Sequence, residues 1–151
     1  MIFTMPALGL SLTNYLEPEL PGVMFFSDPN QQGTTTPALF LRQTHAKISP
    51  QPGGLFLRKL GLDLVYLVRF YDTQEDTRLQ AAADVMDQML ETFPYASEEG
   101  EKPVRIRAYD RHWEITDSTL HYKFELKLWL TVEEDAALME SIQELNMEVL
   151  P

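Results

Sequence analysis

The sequence predicts an α+β domain, a mostly antiparallel sheet of four or five strands packed against amphipathic helices, in a single domain over residues 1–151. Three observations predict it. The spacing of apolar residues changes between the alternation of a strand and the longer period of a helix, and back again. The longest alternating run, over residues 60–70, is apolar on both faces at its middle. A short polar turn at Asp117-Ser118 joins two further alternating runs as an antiparallel hairpin.

Taken in order, Pro6 suits the first turn of a helix, where its missing N–H has no partner to lose. That helix runs to about Leu16, and Pro18 and Pro21 end it. Val23-Met-Phe-Phe forms a short strand before the turn-rich residues 28–33. Ala38-Leu-Phe-Leu opens the next strand, which continues toward Ile48. Ser49-Pro-Gln-Pro-Gly-Gly reads as a loop, since two prolines cannot donate to a ladder and two glycines favour a turn.

Leu60, Leu62, Leu64, Tyr66, Val68 and Phe70 then share one face of a strand. Lys59, Gly61, Asp63, Val65, Leu67 and Arg69 occupy the other, so this strand is central and covered on both sides for part of its length. From Thr73 the period lengthens. Leu79, Ala82, Ala83, Met86, Met89, Leu90 and Phe93 lie on one helical stripe, with Glu75 and Asp76 in the first turn complementing the helix dipole. Phe93-Pro94 ends this helix.

After a polar loop at residues 97–102, Val104-Arg-Ile-Arg-Ala-Tyr alternates toward Trp113. Leu120, Tyr122, Phe124, Leu126, Leu128 and Leu130 form the returning strand, with one buried face. Thr131-Val-Glu-Glu is a capping box that opens a last helix with the stripe Leu138, Ile142, Leu145 and Val149.

Composition narrows the function. The 44% hydrophobic and 23% charged content is that of a globular domain. No apolar run is long enough to cross a membrane as a helix. The absence of cysteine excludes disulfides, thiolate metal sites and cysteine nucleophiles. The apolar start has no basic lead, the first basic residue being Arg42, and no small-residue cleavage pattern; it reads as part of the domain, in a protein made and kept in the cytoplasm. The net charge of -11 argues against a general nucleic-acid binder, which needs basic surface to displace counterions from phosphate. Residues 73–102 hold eight acidic and two basic side chains, and residues 133–151 hold six acidic and none basic. Such runs are either solvated helix faces or a surface that repels DNA or meets a basic partner.

Catalytic chemistry has no evident seat. His45, His112 and His121 lack metal-ligand spacing. Asp110, His112 and Glu114 would share a strand face and are the best metal candidates, but they lack a fourth ligand and read as a solvated hairpin face. Gly53-Gly54 is no phosphate loop and no serine sits in a nucleophile elbow, so neither enzymatic activity nor a metal or cofactor is expected. Arg105, Arg107 and Arg111 alternate beside Tyr109 and Trp113. Single arginines so placed guard an edge strand against indiscriminate pairing or touch a partner.

In order and spacing the elements resemble the phage tail terminator family of contractile-tailed phages and phage-like tail particles, over residues 8–150. The resemblance rests on the short first helix, Val23-Met-Phe-Phe, Gln32-Gly33 and Pro37-Ala-Leu-Phe-Leu. It continues through the alternating strand ending in Phe70-Tyr71, the amphipathic helix, the hairpin whose second strand opens Leu120-His-Tyr, and the acidic C-terminal helix.

The resemblance implies a structural virion protein: a homohexameric ring that caps the tail tube, terminates tube and sheath polymerisation and forms the joint with the neck or head. Its partners would be its own copies, the tail tube protein, the sheath protein and the neck or head-tail connector. DNA would pass the channel without specific binding, and no membrane is involved. The location implied is the head-proximal end of the virion tail, after assembly in the host cytoplasm. In that frame Lys47, Ser49, Gln51, Gly53, Gly54 and Arg58 are expected at the tube or a neighbouring subunit. Arg105, Arg107 and Arg111 are expected to meet acidic helix faces around Glu133, Glu134 and Asp135 of another subunit. The alternatives are a head-tail connector or tail-completion protein and, in a different class, a small monomeric ligand-binding domain.

Overall fold

The computed structural model describes residues 2–20, 23–26, 37–68, 75–98 and 100–131. Helix α1 spans Met5–Leu16; the Thr4 hydroxyl caps it by accepting the Ala7 N–H, and Pro6 sits in its first turn as the sequence predicts. It buries Leu8, Leu12 and Leu16, one residue per turn on a single face. The helix ends at Leu16, as expected ahead of Pro18. Pro18 lies within a 3₁₀ turn that follows, Glu17–Glu19, after which the Leu20 N–H returns to the carbonyls of Leu16 and Glu17.

Among the described residues the sheet has six strands rather than four or five. They are β1 (Met24–Phe26), β2 (Ala38–Gln51), β3 (Leu55–Leu67), β4 (Thr92–Tyr95), β5 (Val104–Thr116) and β6 (Thr119–Thr131). Their spatial order is β1-β2-β3-β6-β5-β4. The β1–β2 pair is parallel and the other four pairs are antiparallel, which makes the sheet mixed. Helix α2 spans Glu75–Met89.

Two local departures from the sequence reading explain the extra strands and their lengths. Helix α2 ends at Met89, with the Leu90 N–H still bonded to the Met86 carbonyl, so Phe93 does not belong to the helical stripe. Phe93 instead faces the core from β4, where Pro94 is tolerated because an edge strand has outward positions that need no donor. Likewise Ser49-Pro-Gln is strand, not loop: β2 continues to Gln51, and only residues 52–54 turn.

The core lies on one face of the sheet. Leu60, Leu62, Leu64 and Tyr66 of β3 and Leu120, Tyr122, Phe124 and Leu126 of β6 are buried with Leu8, Leu12 and Leu16 of α1 and with Leu79, Ala83 and Met86 of α2. Each of these leucines, Phe124 and Met86 contributes roughly 1.5–3 kcal/mol relative to exposure. The β5–β6 turn places Asp117 and Ser118 at φ 49 and 62, the left-handed pair that a two-residue hairpin of matching twist requires. The predicted last helix, apart from Thr131 at the end of β6, lies outside the described residues.

Candidate assembly surface

Helix α1 packs chiefly against β4, and α2 against β6 and β5. The far half of the β2–β3 hairpin therefore stretches away from both. The two strands pair from Ala38↔Leu67 to Gln51↔Leu55, and Arg42 through Ile48 are all exposed. Gly53 and Gly54 close the tip at φ 81 and 76, values that side chains with a Cβ rarely adopt. From Arg42 to Gln51 this arm extends roughly 30 Å. Because β1 pairs only with Ala38, Leu39 and Phe40, the outer edge of β2 beyond them has no strand partner among the described residues. Free edges accept added strands. The register shift at Thr44, together with Lys47 and Pro50, restricts which strands can pair there.

The face of the arm turned away from the core is organised in rows across β2, β3 and β6. Arg42, Asp63 and Lys123 form one row, and His45, Gly61 and Glu125 the next. Then come Lys47, Lys59 and Lys127, followed by Ser49, Leu57 and Trp129. Asp63 is buried: its Oδ2 accepts from Arg42 Nη2 at 3.1 Å and lies 2.9 Å from His121 Nδ1. The His45 ring occupies the space a Cβ on Gly61 would fill, and its Nε2 lies 3.7 Å from Glu125 Oε1. Lys123 reaches Glu114 at 3.2 Å.

The lysine row has no such balance. Lys127 stands over the Tyr109 ring, whereas Lys47 and Lys59 have no ion-pair or hydrogen-bond partner among the described residues. Like charges directly opposite one another across strands destabilise a sheet. Beyond this row Trp129 is 55% exposed.

Of the residues expected at the tube or a neighbour, Lys47, Ser49 and Gln51 share this face and Gly53 and Gly54 form the tip. Arg58 pairs with Ile48 and belongs to the opposite face. Sequence reasoning passed over Lys59, Lys127, Leu57 and Trp129. Their alternation, 57 with 59 and 127 with 129, was visible; the register that sets them side by side was not.

The three arginines all have partners within the chain. Arg105 donates to the carbonyl and hydroxyl of Thr92 and lies 5.9 Å from the Tyr15 ring centroid. Arg107 pairs with Glu91 at 3.4 Å. Arg111 donates to the Asp87 carbonyl and, at 3.4 Å, to the Tyr122 hydroxyl. Their expected counterparts Glu133, Glu134 and Asp135 lie outside the described residues.

Asp87 also accepts from Tyr122 at 2.8 Å and from the Trp113 indole at 3.3 Å, which fastens the end of α2 to β5 and β6. Burial of the Tyr122 phenol, then its hydrogen bond to the Asp87 carboxylate and that group's charge, push its pKa up to about 12.

The metal candidates are not brought together. A bulge between Tyr109 and His112, with Asp110 at φ 51, breaks the alternation that would align Asp110, His112 and Glu114. Among the described residues no group of three or more His, Asp or Glu side chains could hold a metal ion. A cleft of about 520 Å³ between α1 and the start of β2 is lined by Met5, Leu10, Leu12, Phe25, Leu39 and neighbouring residues, none of them charged.

The chain matches the family model described as "Phage tail terminator protein" over residues 11–137, a span that contains the second half of α1, all of α2, the whole arm and the closing hairpin. No curated protein matches it. A match across far more than half of the sequence makes this chain a member of the phage tail terminator family and a structural protein of the phage tail.

Proposed function

We propose that six copies of this chain form a ring that caps the completed tail tube, ends the growth of tube and sheath, and joins the tail to the neck or head. The observation that carries this reading is the arm. A closed ring is built from one head-to-tail contact repeated around an axis, which requires two different surfaces on each subunit. A body covered by helices and an outstretched three-stranded arm are two such surfaces. Lys47, Ser49, Gln51, Gly53, Gly54 and Arg58 then meet the tube or the adjacent subunit. Arg105 and Arg107, exposed despite their partners within the chain, border the same contacts with acidic surface around Glu133, Glu134 and Asp135.

The overall charge of -11 keeps DNA from adhering as it passes the channel. The place of action is the head-proximal end of the tail. Polymerising purified tube protein with and without this chain, and viewing the products by negative stain, tests the proposal. Rings at tube ends together with shorter tubes are expected. Tubes of unchanged length with bare ends would overturn it, and binding to a head portal instead would favour a head-tail connector.

A further inference from the structure

We infer that the lysine row of the arm, with Leu57 and Trp129 beside it, docks the C-terminal segment of a neighbouring copy, residues 132–151; this inference rests on the ring reading above. Lys47, Lys59 and Lys127 lie abreast on three adjacent strands, an arrangement that repels itself until an acidic partner covers it. The next row toward the tip, Leu57 and the exposed Trp129, is apolar. The occupant must therefore carry carboxylates alongside an apolar stripe.

The chain itself carries a segment of that chemistry. Residues 42–59 hold four basic and no acidic side chains, while residues 132–151 hold six acidic and no basic ones. At helical spacing Glu134 and Asp135 precede Leu138 by four and three residues, and Glu148 follows Leu145 by three. These carboxylates border the stripe Leu138, Ile142, Leu145 and Val149.

The point of departure favours a neighbouring copy over the chain's own arm. Thr131 pairs with Leu55 beside the tip, and β6 runs outward from Lys127 to reach it. Between Thr131 and Asp135 stands none of the residues that favour turns, glycine, proline, asparagine, aspartate or serine, to send the chain back over its own lysines. Twenty residues in helical form extend roughly 30 Å, about the length of the arm itself.

The test combines isotope mixing with charge reversal. Chains labelled with ¹⁵N and unlabelled chains are dissociated, mixed and reassembled, then treated with a carbodiimide that joins lysines to carboxylates in contact. Links from Lys47, Lys59 or Lys127 to Glu134, Asp135 or Glu148 that unite labelled with unlabelled chains are expected. The triple variant Lys47→Glu, Lys59→Glu, Lys127→Glu should raise the concentration at which the assembly falls apart by about tenfold or more, with the fold retained by circular dichroism. Adding Glu134→Lys, Asp135→Lys and Glu148→Lys should restore assembly.

Links confined to chains of one label would show that the segment docks on its own arm, which overturns the inference. A ring of unchanged stability in the triple variant, or links from the lysine row only to other acidic sites, would also overturn it while leaving the ring intact. A wild-type chain that is monomeric overturns the ring reading itself, and the mass of the unlinked sample separates that failure from the others.

Discussion

The Lys127 ammonium stands 4.4 Å from the centroid of the Tyr109 ring, across the β5–β6 pairing. Tyr109 is the partner of Glu125, so Lys127 reaches it along the diagonal of the sheet. This contact holds one end of the lysine row in place, while Lys59 between its two like-charged neighbours bears repulsion from both sides. The arm thus carries a local conflict that an acidic partner would resolve.

The first prediction is a reversal of sign between fold and assembly. Lys59→Glu places a carboxylate between Lys47 and Lys127 and should stabilise the isolated chain by about 0.5–1 kcal/mol, seen as a higher urea midpoint. The same change should weaken self-assembly in light scattering. Lower stability together with unchanged assembly would show that the row is neither strained nor used.

Tyr122 supplies a pH dependence. Its folded pKa of about 12 lies above the ordinary value near 10, so the fold favours the neutral phenol. That contribution is fully present below pH 10 and is lost as the pH rises through about 12. Ultraviolet titration should show a late tyrosine ionisation that Tyr122→Phe removes. The variant should also lose about 1 kcal/mol, because Asp87 loses the hydroxyl that ties α2 to β6.

The Tyr95 side chain fastens the start of the chain. The Tyr95 hydroxyl donates to the Ile2 carbonyl at 2.8 Å and accepts the Thr4 N–H at 3.2 Å, and its ring stacks on Phe3 at 5.3 Å. Tyr95→Phe keeps the stacking and removes both hydrogen bonds. A loss of about 1–2 kcal/mol is expected, with faster amide exchange at Thr4 and an undisturbed sheet.

At Gly61 a methyl group would overlap the His45 ring. His45 is more than half exposed and can swing aside, so Gly61→Ala should cost less than about 1 kcal/mol. The imidazole signals of His45 should shift as its contact with Glu125 is lost. A loss of several kcal/mol would mean that the ring is held more firmly than its exposure indicates.

What the sequence revealed and what it hid follow from the same physics. Alternation at Leu60, Leu62, Leu64 and Tyr66, and from Leu120 to Leu128, placed the two central strands, because each has one face fully buried. Helix α2 was legible from its stripe, yet Phe93 falls at helical spacing from Met86 and Leu90 and so concealed the four-residue strand in which it lies. Pro50 and Pro52 disguised the end of β2 as a loop; only an unpartnered strand edge tolerates Pro50. Residues 47–58, read from the sequence as a loop that touches the tube or a neighbour, are mostly strand and form the outer part of the arm. The lysine row was beyond reach, since positions 47, 59 and 127 become neighbours only through the registers of two strand pairs.

The solution mass of the purified chain, measured by light scattering with and without tube protein, tests the central claim most directly. Six chains of 17.4 kDa predict a particle of about 104 kDa. A species that stays at 17.4 kDa, even beside tube protein, would contradict the ring and everything assigned to the arm.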